Sequence, residues 1–255
     1  MKRFYALLII ALFAITPSLS AQSASFYNAT RDAEKLIKKM PTENYYRAYV
    51  GINNAHINWR DFDHECELLF PVKSGITLGY LQSYHIVKGL PIFIEYGANI
   101  QYLYGKEILS NDSIFNTYGG DVTFRANICS INVPVNASLR LSFEDNKIAV
   151  TPYAGLNLRL NLFGKQKIEG TFFGVKESSE DNLFNKSDNL MLYPEDTFNR
   201  LQLGINYGVA FSYDVYTISV GRVSDISRIA NVKNVKKQDY KGRMGVTTIS
   251  VGYAF

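Results

Sequence analysis

No stretch of about eighteen uninterrupted apolar residues occurs after the amino-terminal region of this 255-residue chain, which excludes a protein that crosses a bilayer with helices. Cysteine is scarce. Cys66 and Cys129 are the 2 in the chain, far apart and without metal-type spacing, which leaves either one disulfide in an oxidising compartment or two unpaired thiols. Neither sign of charge is in excess: the formal balance is +4, and it falls to +2, with 25 basic against 23 acidic residues, once Lys2 and Arg3 leave with a leader peptide. Nucleic acid is therefore not an expected partner. Tryptophan appears once and histidine 3 times, whereas tyrosine appears 18 times, and a ring with a polar tip suits the boundary between water and lipid. No fixed-period repeat beyond hairpins is visible.

Residues 1–21 read as a cleaved secretory signal, with Lys2 and Arg3, an apolar core of about ten to twelve residues, a break at Pro17, and small residues before a cut ahead of Gln22. The residue after the cut is Gln22 and not cysteine, so lipid attachment is not expected. Residues 22–44 read as a periplasmic helical segment, since Phe26, Ala29, Ala33, Leu36, Ile37 and Met40 recur at helical spacing with Arg31, Glu34, Lys35, Lys38 and Lys39 mostly between them. Pro41 would stop it. The helix is expected to lie against the base of the following domain, with a lumen plug or a partner-binding arm as the sharper reading.

From residue 45 to 255 the pattern changes to period two. Strands are expected at about 45–58, 75–86, 91–104, 124–141, 148–163, 201–211, 215–224 and 243–255. In the sixth, Leu201, Leu203, Ile205, Tyr207, Val209 and Phe211 oppose Gln202, Gly204, Asn206, Gly208, Ala210 and Ser212. The polar faces are mostly Gly, Ala, Ser, Thr, Asn and Gln, small groups that fit a narrow lumen, so the aliphatic faces belong outside against lipid. Links alternate between short, at 87–90, 143–147 and 212–214, and long, at 59–74, 105–123, 164–200 and 225–242. Short periplasmic turns and long outer loops are the outer-membrane pattern. The expected fold is all-β, an eight-stranded antiparallel up-and-down transmembrane β-barrel with a short amino-terminal helix, located in the outer membrane. Tyr253 and Phe255 on the last strand are the expected signal for the barrel-assembly machinery.

Several segments together resemble the PorT-like outer-membrane β-barrel family of the Bacteroidetes. They are GITLGYLQSYHIVKGLPIFIEYGANIQYLYG at 75–105, SINVPVNASLRLSF at 130–143, TPYAGLNLRL at 151–160, QLGINYGVAFSYDVYTISVGRVSDIS at 202–227 and the closing TTISVGYAF. The resemblance implies an eight-stranded barrel, with Glu95 in the place of a buried acid and Val133-Pro134 as the step in the fourth strand. It further implies a role near protein secretion or surface assembly. The long segment 164–200 is not part of that pattern.

Four charges are expected in the lumen: Arg47, Glu95, Arg140 and Arg159. Burial of an unpaired charge is costly, so they should pair or meet water, with Glu95 and Arg140 on neighbouring strands as the expected partners and Arg47 near the same level. Ser83 and His85 share a face, which invites comparison with barrels that hydrolyse lipid A, but their order and position are wrong for an outer-leaflet substrate. His56 and His64 lie elsewhere. Arg222, Lys233, Lys236, Lys237, Lys241 and Arg243 are candidate contacts to lipopolysaccharide phosphates, with a solvated basic loop as the plain alternative. Glu177, Glu180, Asp181, Asp188, Glu195 and Asp196 lack the spacing of a calcium loop and read as solvated surface, with a divalent-ion contact as the weaker reading.

The expected function is non-enzymatic: anchoring, envelope integrity, or docking as an accessory of a secretion or surface assembly. A narrow solute channel is the second reading, and a lipid-modifying enzyme the third. Expected partners are outer-membrane lipid and lipopolysaccharide, the barrel-assembly machinery and an envelope or secretion protein; no cofactor or metal is expected.

Overall fold

The computed structural model describes residues 43–60, 70–87, 90–109, 122–143, 147–172, 175–184, 198–233 and 239–255. The expected signal peptide and amino-terminal helix lie outside them. The strands are β1 (Tyr45–Arg60), β2 (Ser74–His85), β3 (Ile92–Leu109), β4 (Val122–Leu139), β5 (Leu141–Phe143), β6 (Ile148–Phe172), β7 (Val175–Asn182), β8 (Leu201–Tyr213), β9 (Tyr216–Asp225), β10 (Ala230–Lys233) and β11 (Asp239–Ala254).

Eight of them, β1, β2, β3, β4, β6, β8, β9 and β11, pair in that order, and β11 pairs back onto β1 to close a ring. Every pairing is antiparallel. The seam runs from Arg47 opposite Ala254 to Arg60 opposite Lys241, and is tied at its base by Tyr46 and Phe255, each donating its backbone N–H to the other's carbonyl at 2.9 Å. The β8–β9 turn has two residues between the paired Tyr213 and Tyr216. Asp214 adopts a φ of 53° there, a left-handed conformation that aspartate tolerates better than most residues with a side chain.

The apolar faces point outward. Ile52, Ile76, Leu78, Ile100, Leu156, Ile205, Ile218 and Val251 are all exposed, while Asn53, Thr77, Gln101, Asn132, Asn157 and Gln202 are buried inside. A closed ring satisfies every backbone group without water, and this inverted arrangement is that of a barrel spanning an outer membrane. Tyrosines mark its base. Tyr46, Tyr80, Phe255, Tyr253 and Tyr216 form one chain of ring contacts with centroids 5.9–6.5 Å apart. Tyr102 and Tyr104 stack farther up β3.

Strand β6 departs from the sequence reading, running to Phe172 rather than ending near residue 163. A bulge explains the difference: Cys129 faces Phe163 and Ser130 faces Asn161, so Leu162 is extra, and Leu162 and Phe163 are both exposed. Below the bulge the odd residues Asn157, Arg159 and Asn161 point inward; above it Gly164 and Gln166 do. One inserted residue switches faces, and the alternation read from sequence breaks there. Beyond the bulge β6 continues with β4 and turns into β7, raising a wall above the barrel where a plain loop was expected.

Candidate functional site

The lumen carries its chemistry in three levels. At the base, Glu95 on β3 is fully buried and its Oε1 accepts hydrogen bonds from Tyr45 Oη at 2.8 Å and Ser83 Oγ at 3.2 Å. Its other oxygen lies 3.8 Å from Arg47 on β1. Arg140 does not pair with Glu95 as the sequence suggested; its guanidinium sits 4.4 Å above the Tyr45 ring. The reason is geometric. Arg140 follows the last residue of β4 and donates its backbone N–H to Pro91, so its side chain reaches the face of Tyr45 instead of the carboxylate behind it. Ser83 is thus committed to Glu95, whereas His85 Nε2 donates to the Leu90 carbonyl at 2.8 Å and its ring leans on Phe93.

The middle level is a belt of amides. Asn132 donates to Asn99, Asn157 donates to Asn132, and Asn206 donates to Asn136, all at 3.0–3.2 Å. Thr248 donates to Asn53 at 2.7 Å across the seam, and Ser219 and Ser250 share a 2.6 Å hydrogen bond. Two tyrosines lie flat on the wall, where neighbouring glycines leave room. A Cβ at Gly79 would sit 2.4 Å from the Tyr49 ring, and one at Gly221 would sit 2.1 Å from Tyr153 Oη. A cavity of about 70 Å³ remains, lined by Arg47, Tyr49, Gln101, Asn132, Tyr153 and Arg159 among others. That is room for roughly five water molecules.

At the upper level Arg159, fully buried on β6, donates to Asp225 Oδ2 at 2.7 Å, to Gln202 at 3.1 Å and to Asn132 at 3.0 Å. Arg159 is therefore apart from the basal charges. Asp225 escaped the sequence reading, which placed it in a loop, yet Thr217, Ser219, Gly221 and Val223 alternate on the same inward face, and one more step of that period reaches it. Above this pair the mouth is closed by an apolar core. Phe70, Val72, Leu183, Phe184, Phe198 and Ile229 descend from the connecting segments onto Ala55, Ile57, Leu103, Ala126, Ile128, Met244 and Val246 of the walls. Phe70 and Phe198 meet at 4.9 Å between ring centres. Segment 70–73 presses so close that a Cβ at Gly105 would fall 1.3 Å from the Pro71 carbonyl oxygen. The sequence reading treated 164–200 as solvated surface, and the apolar residues Leu183, Phe184 and Phe198 within it were the available signal.

Among the outer basic residues, Arg222 lies on the outward face of β9, beside Ser224 and Thr247 and 3.5 Å from His56 Nε2, and Arg243 is exposed on β11. Lys236, Lys237 and His64 lie outside the described residues, as do the side chains of Lys233 and Lys241. Of the acidic residues in 164–200, Glu180 on β7 pairs with Lys165 at 2.5 Å, and Asp188, Glu195 and Asp196 lie outside the described residues. Cys129 is a free, buried thiol, and Cys66 lies outside the described residues. Tyr253 and Phe255 are exposed members of the basal aromatic chain.

No family model and no curated protein matches the sequence. Among solved structures, the chain is similar to Ail, the attachment invasion locus protein of Yersinia pestis, at 13% identity over 84% of this chain and 99% of that one, with a TM-score of 0.36. It is similar to a major outer membrane protein from Thermus thermophilus at 11% identity over 84% and 100%, with a TM-score of 0.38. Likeness to the outer membrane protein AlkL is 10% over 94% and 96%, with a TM-score of 0.37.

Proposed function

We propose that this barrel is a non-enzymatic, non-conducting protein of the outer membrane whose work is structural or interactive, done by the parts that project from the lipid. The observation that carries the reading is the double closure of the lumen, by hydrogen-bonded side chains through its middle and by the apolar core at its outer mouth. A barrel of eight strands has an interior just wide enough for its own side chains to fill or for one small ligand. The commitment of Ser83 to Glu95 and of His85 to the Leu90 carbonyl leaves that pair without the mutual contact a nucleophile and base require, which supports a role other than catalysis.

Within this reading, the wall formed by β4, β6 and β7 above the bulge is the surface offered to a partner, and the finer proposal is an accessory of a secretion or surface assembly, the role implied by the PorT-like resemblance. Two measurements test it. Refolded protein in a planar bilayer should give no stepwise conductance; steady single-channel steps would overturn the closed-lumen reading in favour of a channel. Capture of the full chain from solubilised envelope should retain a large partner, and capture that weakens when the β7 segment is replaced by a short turn places the contact on the wall.

A further inference from the structure

The lipid-facing belt is uneven, and the unevenness holds a cation. Strands β8 and β9 rise side by side from the turn flanked by Tyr213 and Tyr216. On β8 the outward row Tyr213, Phe211, Val209, Tyr207, Ile205, Leu203 and Leu201 is apolar throughout and, half-buried Val209 apart, exposed, a climb of about 30 Å at the usual rise and a tilt near 40°. On β9 the row Tyr216, Ile218 and Val220 stops after about 10 Å, and Arg222 follows, opposite Tyr207. Arg222 therefore sits at a height where β8 is still apolar.

The two strands beyond β9 repeat the interruption. On β11 the outward row passes from Ile249 to Thr247, Gly245 and Arg243; on β1 it passes from Ile52 to Asn54, His56 and Asn58. Two residues farther along each strand, Lys241 and Arg60 are register partners across the seam. The outward rows of β1 and β9 contain no acidic residue. Arg222 is the centre of this column. Its Nε lies 3.4 Å from Ser224 Oγ, its Nη1 3.4 Å from Thr247 Oγ1, and its Nη2 3.5 Å from His56 Nε2, so among the described residues these contacts are to neutral groups, at long range. Gly245 makes the reach possible, since a Cβ there would lie 3.0 Å from both Arg222 Nη2 and the His56 ring.

We propose that this notch binds a phosphate of an outer-leaflet glycolipid of the lipid A class, with Arg222 as the principal contact and Arg243 and His56 beside it. The proposal rests on the outer-membrane reading and adds a specific site to it. Charge complementarity selects the ligand: a guanidinium facing lipid with no carboxylate partner among the described residues is matched by the anion that outer-leaflet lipid carries at the boundary, and it forms strong bidentate hydrogen bonds with phosphate. The column of Thr247, Gly245 and Asn54 lets a headgroup settle lower here than beside β8.

The test uses the full-length mature chain refolded in detergent, with bound lipid read by native mass spectrometry. Wild-type protein should retain one bis-phosphorylated lipid A, and R222Q should lose at least about tenfold in retention. R125Q, at a cation paired with Glu169 on the projecting wall, should match wild type. Equal retention by R222Q, or equal retention of lipid A stripped of phosphate, would overturn the site. Displacement by millimolar inorganic phosphate would mark a site for the free anion instead, and an R222Q-sensitive dimer would mean that a second copy covers the notch; both also overturn it. If R222Q does not refold, H56A and G245V are read against the same outcomes. Flotation of wild-type protein with lipid vesicles separates the two levels: failure there sinks the membrane reading, whereas flotation with phosphate-blind lipid retention sinks only this site.

Discussion

The two ends of the lumen hold the same chemical pair in different settings. At the upper end the side chains of Arg159 and Asp225 are 1% and 0% exposed, 2.7 Å apart, and roofed by apolar side chains. At the base Arg47 and Glu95 are 3.8 Å apart, and Glu95 leans on neutral hydroxyl donors as much as on the cation. The lesson is that ion-pair geometry tightens where the carboxylate has no neutral donor to share the load among the described residues. The upper pair is a fixed joint under a lid, and the lower one is a hydrogen-bonded node near the periplasmic opening.

The comparison breaks first at the upper joint. Arg159→Met strands a buried carboxylate and should destabilise the folded barrel by about 3–5 kcal/mol in urea unfolding from vesicles, whereas adding Asp225→Leu should restore most of the loss. Failure of the double variant to recover would show that the amides around the pair matter more than its charges. Next comes the lid. Phe198→Ala leaves a void between Phe70 and Phe184 and should cost about 3–4 kcal/mol in the same assay, with no gain of conductance because the amide belt still fills the lumen below.

The basal node should be more forgiving. Glu95→Gln keeps an acceptor for Tyr45 and Ser83 and should cost about 1–2 kcal/mol, less than half the effect at Arg159. A larger loss would put the two ends on the same footing. The smallest effect is on the projecting wall, where the hydrogen bond from Lys165 holds the Glu180 carboxyl below its usual range, and the one from Lys167, aided by Arg125, does the same for Glu169. A depressed carboxylate stabilises the fold above its ordinary pKa and loses that contribution as pH falls through the depressed value. Glu180→Gln should therefore remove a small stabilisation present at neutral pH, flatten the shallow decline below about pH 4.5, and converge with wild type in acid.

Much of the barrel was legible because period-two alternation is a local signal. The outward row of β8 and the inward amides Asn99, Asn132 and Asn157 could be placed without coordinates. The extension of β6 was hidden by one residue, since the extra Leu162 inverts the alternation and imitates a strand end. Asp225 was lost to a boundary drawn one residue short. The lid was illegible for a different reason: Phe70, Phe184, Phe198 and Ile229 are buried by one another and by the walls, and no local spacing announces a cluster assembled from segments far apart in sequence. Arg47 prevailed over Arg140 at Glu95 because the direct pairing of β1 with β2 puts Arg47 one strand from β3, while the end of β4 aims Arg140 at a ring.

The reciprocal clasp of Tyr46 and Phe255 sets a clock for biogenesis. Since β1 can find its last neighbour only after the six ring strands between it and β11 have been made, the cylinder stays unsealed until β11 arrives, with raw β-edges needing custody all that time. Closure is then a single late event, and shortening the final strand by a few residues should leave an unzipped sheet that is degraded before it ever reaches lipid.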